Sequence, residues 1–177
     1  MRLFHFSDDP NIERFEPRPV RVPARREPGK EWLNGSLVWA IDEWHQPMYL
    51  FPRDCPRILL WPLPNTTRED RGKWFGETPA RIVAYIEEAW VERLVRETLY
   101  RYELPAFQFE DLGDAGMWVS RDSVVPLHID ALSDLRAELL ASDVELRILP
   151  RLTQLKPVWQ STLHASGIRL RNAQAWN

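Results

Sequence analysis

Fifteen prolines in 177 residues, against only seven glycines, set the first limit on what this chain can become. Each proline fixes φ and removes a backbone donor, so it ends a helix or confines a strand to an edge. Long regular elements are thereby excluded, and the architecture must be assembled from short strands and short helices joined by fixed turns. Scarce glycine carries a second exclusion. Neither G-x-x-x-x-G-K-[ST] nor G-x-G-x-x-G occurs, so the nucleotide folds built on those phosphate-cradling loops are ruled out.

Hydrophobic periodicity places the short elements. Residues 2–7 alternate, with Leu3, His5 and Ser7 on one side and Phe4 and Phe6 on the other, as a strand does. Leu37-Val38-Trp39-Ala40-Ile41 is short and apolar throughout, as in a buried strand. Further strands are expected at 57–61, 81–86, 99–104, 117–120, 124–129 and 144–149. Asp42 reads as the N-cap of a short helix over 42–51, bent at Pro47 and closed by Pro52. Thr66-x-x-Glu69 has capping-box spacing, with Gly76 placed to end the helix it opens. Helices are also expected at 87–97 and 131–141. A last one carries Leu155, Val158, Trp159, Thr162 and Leu163 and is stopped by Gly167. Pro17, Pro19, Pro23, Pro28 and Gly29 make residues 16–35 an irregular, mobile loop. Several strands follow one another without a helix between them. The fold class expected is therefore α+β: a single domain over 1–177 with a mixed, mostly antiparallel sheet and flanking helices.

A net charge of −3 gives no general case for nucleic acid, although residues 13–30 carry six basic side chains against three acidic ones and the tail over 167–177 adds Arg169 and Arg171. The single cysteine, Cys55, excludes an internal disulfide and fits a reducing compartment. The start lacks the apolar core of a signal peptide, and Ile58-Leu59-Leu60-Trp61 is too short to span a bilayer. A cytoplasmic location with no membrane partner is the expectation.

Few side chains are grouped as chemistry requires. His5 and Ser7 share a strand face, where both can reach a ligand, or the histidine is simply satisfied by backbone. On a helix, Asp42, His45 and Tyr49 would lie on one face, and Asp42 and His45 could hold a metal with His5. Cys and His do not recur at fixed spacings, however, and no metal is expected. Pro52-Arg53-Asp54-Cys55-Pro56-Arg57 holds two guanidiniums on a stiff segment, suited to a phosphate or carboxylate or to Asp54 and Asp42. Cys55, between prolines, reads as a buried inert thiol. Trp39, Trp61, Trp90, Trp118 and Trp159 are spread across elements and read as core filler.

The opening Leu3-Phe4-His5-Phe6-Ser7, the block Val38-Trp39-Ala40-Ile41-Asp42, the stretch Trp118-Val119-Ser120-Arg121 and the ending Ser166-Gly167-Ile168-Arg169 together resemble a bacterial family of unknown function, over nearly the whole chain. More distantly, the layout is similar to small ADP-ribosyltransferase-like folds. There, a first strand with a His-x-Ser/Thr motif and a second strand running into a helix flank a split-sheet NAD cleft. That resemblance implies that His5 and Ser7 contact ribose, that Trp39 lines the cofactor site, and that Tyr49 stacks on the nicotinamide ring. Transferases of that fold place a catalytic Glu near the third motif, where this chain has Ser120, Arg121 and Asp122. RNA 2′-phosphotransferases work with His and Arg instead, a style in which His5, Arg53 and Arg121 would act on a 2′-phosphate. The expectation is thus an enzyme or former enzyme using NAD or a related nucleotide on an RNA or protein substrate. The alternatives are a non-enzymatic module that binds a nucleotide or a partner protein through the 16–35 loop and the basic tail, and a metal-assisted hydrolase built on His5, Asp42 and His45.

Overall fold

Proline-limited elements are what the structure contains. The computed structural model describes residues 1–176. Ten strands follow in chain order: β1 (Leu3–Ser7), β2 (Val38–Asp42), β3 (Arg57–Trp61), β4 (Ile82–Glu87), β5 (Leu99–Leu104), β6 (Glu110–Asp111), β7 (Met117–Ser120), β8 (His128–Leu132), β9 (Val144–Leu149) and β10 (His164–Ile168). None exceeds six residues. The α-helices are short as well, seven residues at most: α1 (Arg68–Asp70), α2 (Val91–Arg96) and α3 (Leu135–Ala141).

The chain divides into two compact units, Met1–Tyr49 with Leu99–Ala131, and Leu50–Thr98 with the chain from Leu132 onward. The first unit carries a six-stranded sheet in the order β6-β7-β2-β1-β5-β8. Its pairings of β1 with β2 and β5, and of β7 with β2 and β6, are antiparallel. The second carries the order β10-β3-β4-β9, antiparallel except for β4 with β9. The chain is α+β, with mostly antiparallel sheets and few helices.

Registers assign every side chain of the first sheet to a face. Leu3, His5 and Ser7 of β1 lie opposite Leu104, Tyr102 and Tyr100 of β5. With Val38, Ala40 and Trp118 they form one face, over a core completed by Phe15, Phe109 and Val124. Phe4 and Phe6 lie on the other face, opposite Glu103 and Arg101 of β5, and Phe4 also faces Ile41 of β2. Trp39, two residues back from Ile41, shares that second face. In the second unit every residue of β3 and β4 is buried, as central strands covered on both sides require. One side packs on Phe75, Leu152, Leu155 and Val158.

Four expectations are corrected. Asp42 does not open a helix: it ends β2, and only Gln46–Tyr49 coils, as a single 3-10 turn. A strand over 124–129 is not formed. Val124 makes an isolated bridge to Phe15, and the strand starts at His128 instead. The capping box slips by one residue, since Thr67 rather than Thr66 receives the Asp70 N–H. The last helix is a 3-10 run over Leu152–Gln160, and Gly167 lies inside β10. Its glycine answers a close approach, because a Cβ there would meet Leu170 Cδ1 at 2.5 Å and Trp159 Cζ2 at 2.9 Å. Of the tryptophans, Trp61 is buried core while Trp159 is largely exposed. The 16–35 segment is irregular as expected, but it is tied down: Arg18 bridges Leu37, and a 3-10 turn forms over Glu31–Asn34.

Cys55 is fully buried in the second unit, and desolvation pushes its thiol up to about 12, against the opposing pull of Arg57 and Arg93. The free thiol of an unfolded chain ionises near about 8.5. Between those values the unfolded chain releases this proton while the folded chain keeps it, so stability falls as pH rises through the window. Ellman's reagent at pH 8 is expected to leave Cys55 unmodified over hours and to label it at once in denaturing urea. Rapid labelling of the native chain would contradict this burial.

Candidate functional site

β1 is the centre of the candidate site because its two faces do different things. On the first face, the His5 ring packs 4.7 Å from Phe15. Its Nδ1 lies 2.8 Å from the Trp39 carbonyl oxygen. A carbonyl only accepts, so Nδ1 carries the proton. The β1–β2 register covers Leu3 with Asp42 and Phe4 with Ile41, and the imidazole then supplies the donor for the next β2 carbonyl. His5 thus ties β1 to β2 beyond their backbone pairing. Ser7 is 4% exposed, and its hydroxyl oxygen accepts the Asp9 N–H at 3.1 Å, closing a turn.

The second face gathers aromatic and charged groups. The rings of Phe6 and Tyr49 lie nearly parallel, at 14° and 6.3 Å between centroids. Tyr49 is carried there by its 3-10 turn, and its hydroxyl reaches Met117 Sδ at 3.6 Å. Arg101, opposite Phe6 on β5, lies over the Phe4 ring at 5.1 Å. Its guanidinium bonds Asp130 at 2.8 and 3.2 Å and donates to the Gln46 carboxamide oxygen at 3.1 Å. Asp130 is held below the usual carboxylate range chiefly by the bond from Arg101. The Gln46 amide group in turn donates to the Glu43 carbonyl, so this carboxamide is fixed at both ends. What results is a rigid planar-ring surface with an oriented amide and guanidinium at its border.

His5 and Tyr49, expected in one cleft, are therefore on opposite faces of the sheet, because strand alternation turns His5 and Phe6 apart and Tyr49 stands against Phe6. Trp39 touches His5 only through its backbone, and its indole belongs to the Tyr49 face. Arg121 lies over the Trp32 ring at 4.7 Å and pairs with Glu110 at 2.6 Å on the surface. Arg53 belongs to the second unit, on the exposed turn that the Cys55 N–H closes onto the Pro52 carbonyl. Nothing in the sequence marks Phe6 or Arg101 as site residues. Alternation already turned Phe6 away from His5, whereas Arg101 reaches it only through strand pairing across nearly the whole unit.

At the end of β2, the Asp42 carboxylate accepts the His45 N–H at 2.7 Å and approaches His45 Nδ1 at 2.8 and 3.0 Å. The Asp42 N–H is received by the carbonyl of Gly116, whose backbone is left-handed at φ 71°. The carboxylate here shapes a turn and orients the imidazole. Among the described residues, no three His, Cys, Asp or Glu side chains gather as a metal would require. No helix among them is long and apolar enough to cross a membrane.

An α+β chain with an aromatic, arginine-bordered sheet face is the class that fold and site define. It belongs to a family of unknown function, DUF6886, whose model matches residues 4–173. No curated protein and no solved structure matches it.

Proposed function

We propose that the first unit binds the planar ring of a nucleotide, NAD or a relative of it, in the manner of an ADP-ribosyltransferase-like protein, on the sheet face that bears Tyr49. The observation that carries this reading is the near-parallel pair of Phe6 and Tyr49, bordered by the fixed carboxamide of Gln46 and the guanidinium of Arg101. Aromatic side chains bind heteroaromatic rings by stacking, and a held carboxamide recognises an amide or base edge. His5 keeps a positioning role here: by bonding the Trp39 carbonyl it sets where β1 and β2 part. Transferase chemistry would fall to residues beside the bound ribose.

A thermal-shift panel of NAD, ATP, nicotinamide and divalent cations tests this. NAD and nicotinamide are expected to raise the melting temperature of the wild type and not that of Tyr49→Ala. Stacking of one ring is worth about 1–3 kcal/mol, so the variant is expected to bind roughly 5- to 150-fold more weakly. A shift of equal size in Tyr49→Ala, or no shift with any ring-bearing compound, would contradict the assignment.

A further inference from the structure

Among the described residues, the indole Nε1 of Trp39 is a buried side-chain donor without a hydrogen-bond partner. Such a donor is costly in a folded protein unless something completes it, and native proteins rarely leave one. The guanidinium of Arg26 lies over this same ring, 5.8 Å from its centroid. Arg26 reaches there on the segment that runs from the Arg18–Leu37 bridge back to the Glu31–Asn34 turn. One side chain latches that segment. Asn34 Oδ1 accepts the Ala24 N–H at 3.2 Å and the Arg26 Nε–H at 3.3 Å, while Asn34 Nδ2 donates to the Ala24 carbonyl at 2.9 Å. Arg18, Arg21 and Arg25 on the same segment are exposed. A stranded neutral donor beneath a guanidinium, on a segment rich in arginine, is complementary to an oxyanion.

We infer that residues 18–26 form a clasp over Trp39, and that a phosphate of the bound ligand is the acceptor which Trp39 Nε1 lacks, received jointly by that N–H and by Arg26. The inference rests on the nucleotide reading for the identity of the ligand, since Trp39 projects from the same sheet face as Phe6 and Tyr49. In the unliganded chain Arg26 is held by Asn34. On binding, the clasp lifts, the phosphate enters over the indole, and the guanidinium turns from the neutral amide oxygen to the charged one, a stronger acceptor.

Inorganic pyrophosphate and nicotinamide, titrated separately into the full chain labelled with 15N at its tryptophans, test this. The indole peak missing from Trp39→Phe identifies Trp39, and that variant keeps the ring while removing the donor. Pyrophosphate is expected to move the Trp39 indole proton downfield, and Arg26→Gln is expected to bind it about ten- to a hundredfold more weakly while retaining the wild-type circular dichroism. Pyrophosphate that leaves the Trp39 peak in place, or binds Arg26→Gln as it binds wild type, overturns the clasp. Should nicotinamide still bind in that case, the ring assignment survives and the clasp alone fails. Pyrophosphate binding without nicotinamide binding upholds the clasp as an oxyanion site and removes the ring assignment.

Discussion

Gly116→Ala is expected to cost about 3 kcal/mol or more of folding stability and to lower the urea midpoint by roughly 1 M. A Cβ at this position would lie 2.3 Å from His45 Nδ1 and 2.6 Å from Asp42 Oδ2, closer than any real side chain tolerates. The backbone there is left-handed, which alone costs a non-glycine residue about 1–2 kcal/mol. Displacing Asp42 and His45 then adds the loss of the hydrogen bonds between them, each worth about 1–3 kcal/mol. Gly113→Ala separates the two causes. Gly113 is also left-handed, at φ 61°, but an added Cβ meets nothing within 4 Å, so only the backbone cost of about 1–2 kcal/mol applies. Equal losses in the two variants would mean that the packing of Gly116 on the Asp42–His45 pair contributes nothing.

Glu87→Ala, in the second unit, is expected to destabilise by about 2–4 kcal/mol. The Glu87 side chain is 1% exposed at the end of β4. It accepts the Leu152 N–H at 3.1 Å and the Gln174 N–H at 3.1 Å with both oxygens. One carboxylate thus starts the 3-10 run of Leu152–Gln160 and docks the C-terminal segment. Alanine strands the buried Leu152 donor, at about 1–3 kcal/mol, and frees the part-buried Gln174 N–H to water at a smaller cost, where Glu87→Gln retains one acceptor oxygen and is expected to lose roughly half as much. Carboxypeptidase digestion of the alanine variant should also trim past Gln174 faster than in the wild type. An unchanged denaturation midpoint with unchanged trimming would show that the carboxylate is dispensable.

What could be read from the residues alone follows the physical range of each signal. β1, β2, β5, β7 and β9 are legible because alternation or an unbroken apolar run is a local property, and prolines mark several of their ends. The stretch after Asp42 is not: its carboxylate accepts the His45 N–H three residues on, as an N-cap would, and also meets His45 Nδ1, yet only the 3-10 turn Gln46–Tyr49 follows. Gly167 misleads for a related reason: a glycine that ends a helix and a glycine that lets Leu170 and Trp159 close over a strand are indistinguishable without the neighbours. Of the candidate site, the grouping of His5 with Tyr49 is not legible, since which face Tyr49 joins is decided by its turn and not by its spacing from His5. Arg101 was invisible because its meeting with Phe6 and Gln46 depends on the pairing of β1 with β5.

Calorimetric titration of NAD into the wild type and into Tyr49→Ala is the most direct test of the central claim, that the Tyr49 face of the six-stranded sheet receives a nucleotide ring. Saturable one-to-one binding by the wild type, weakened at least fivefold in the variant, is the predicted result. Equal affinity in the two proteins, or no heat of binding at millimolar NAD, would contradict it.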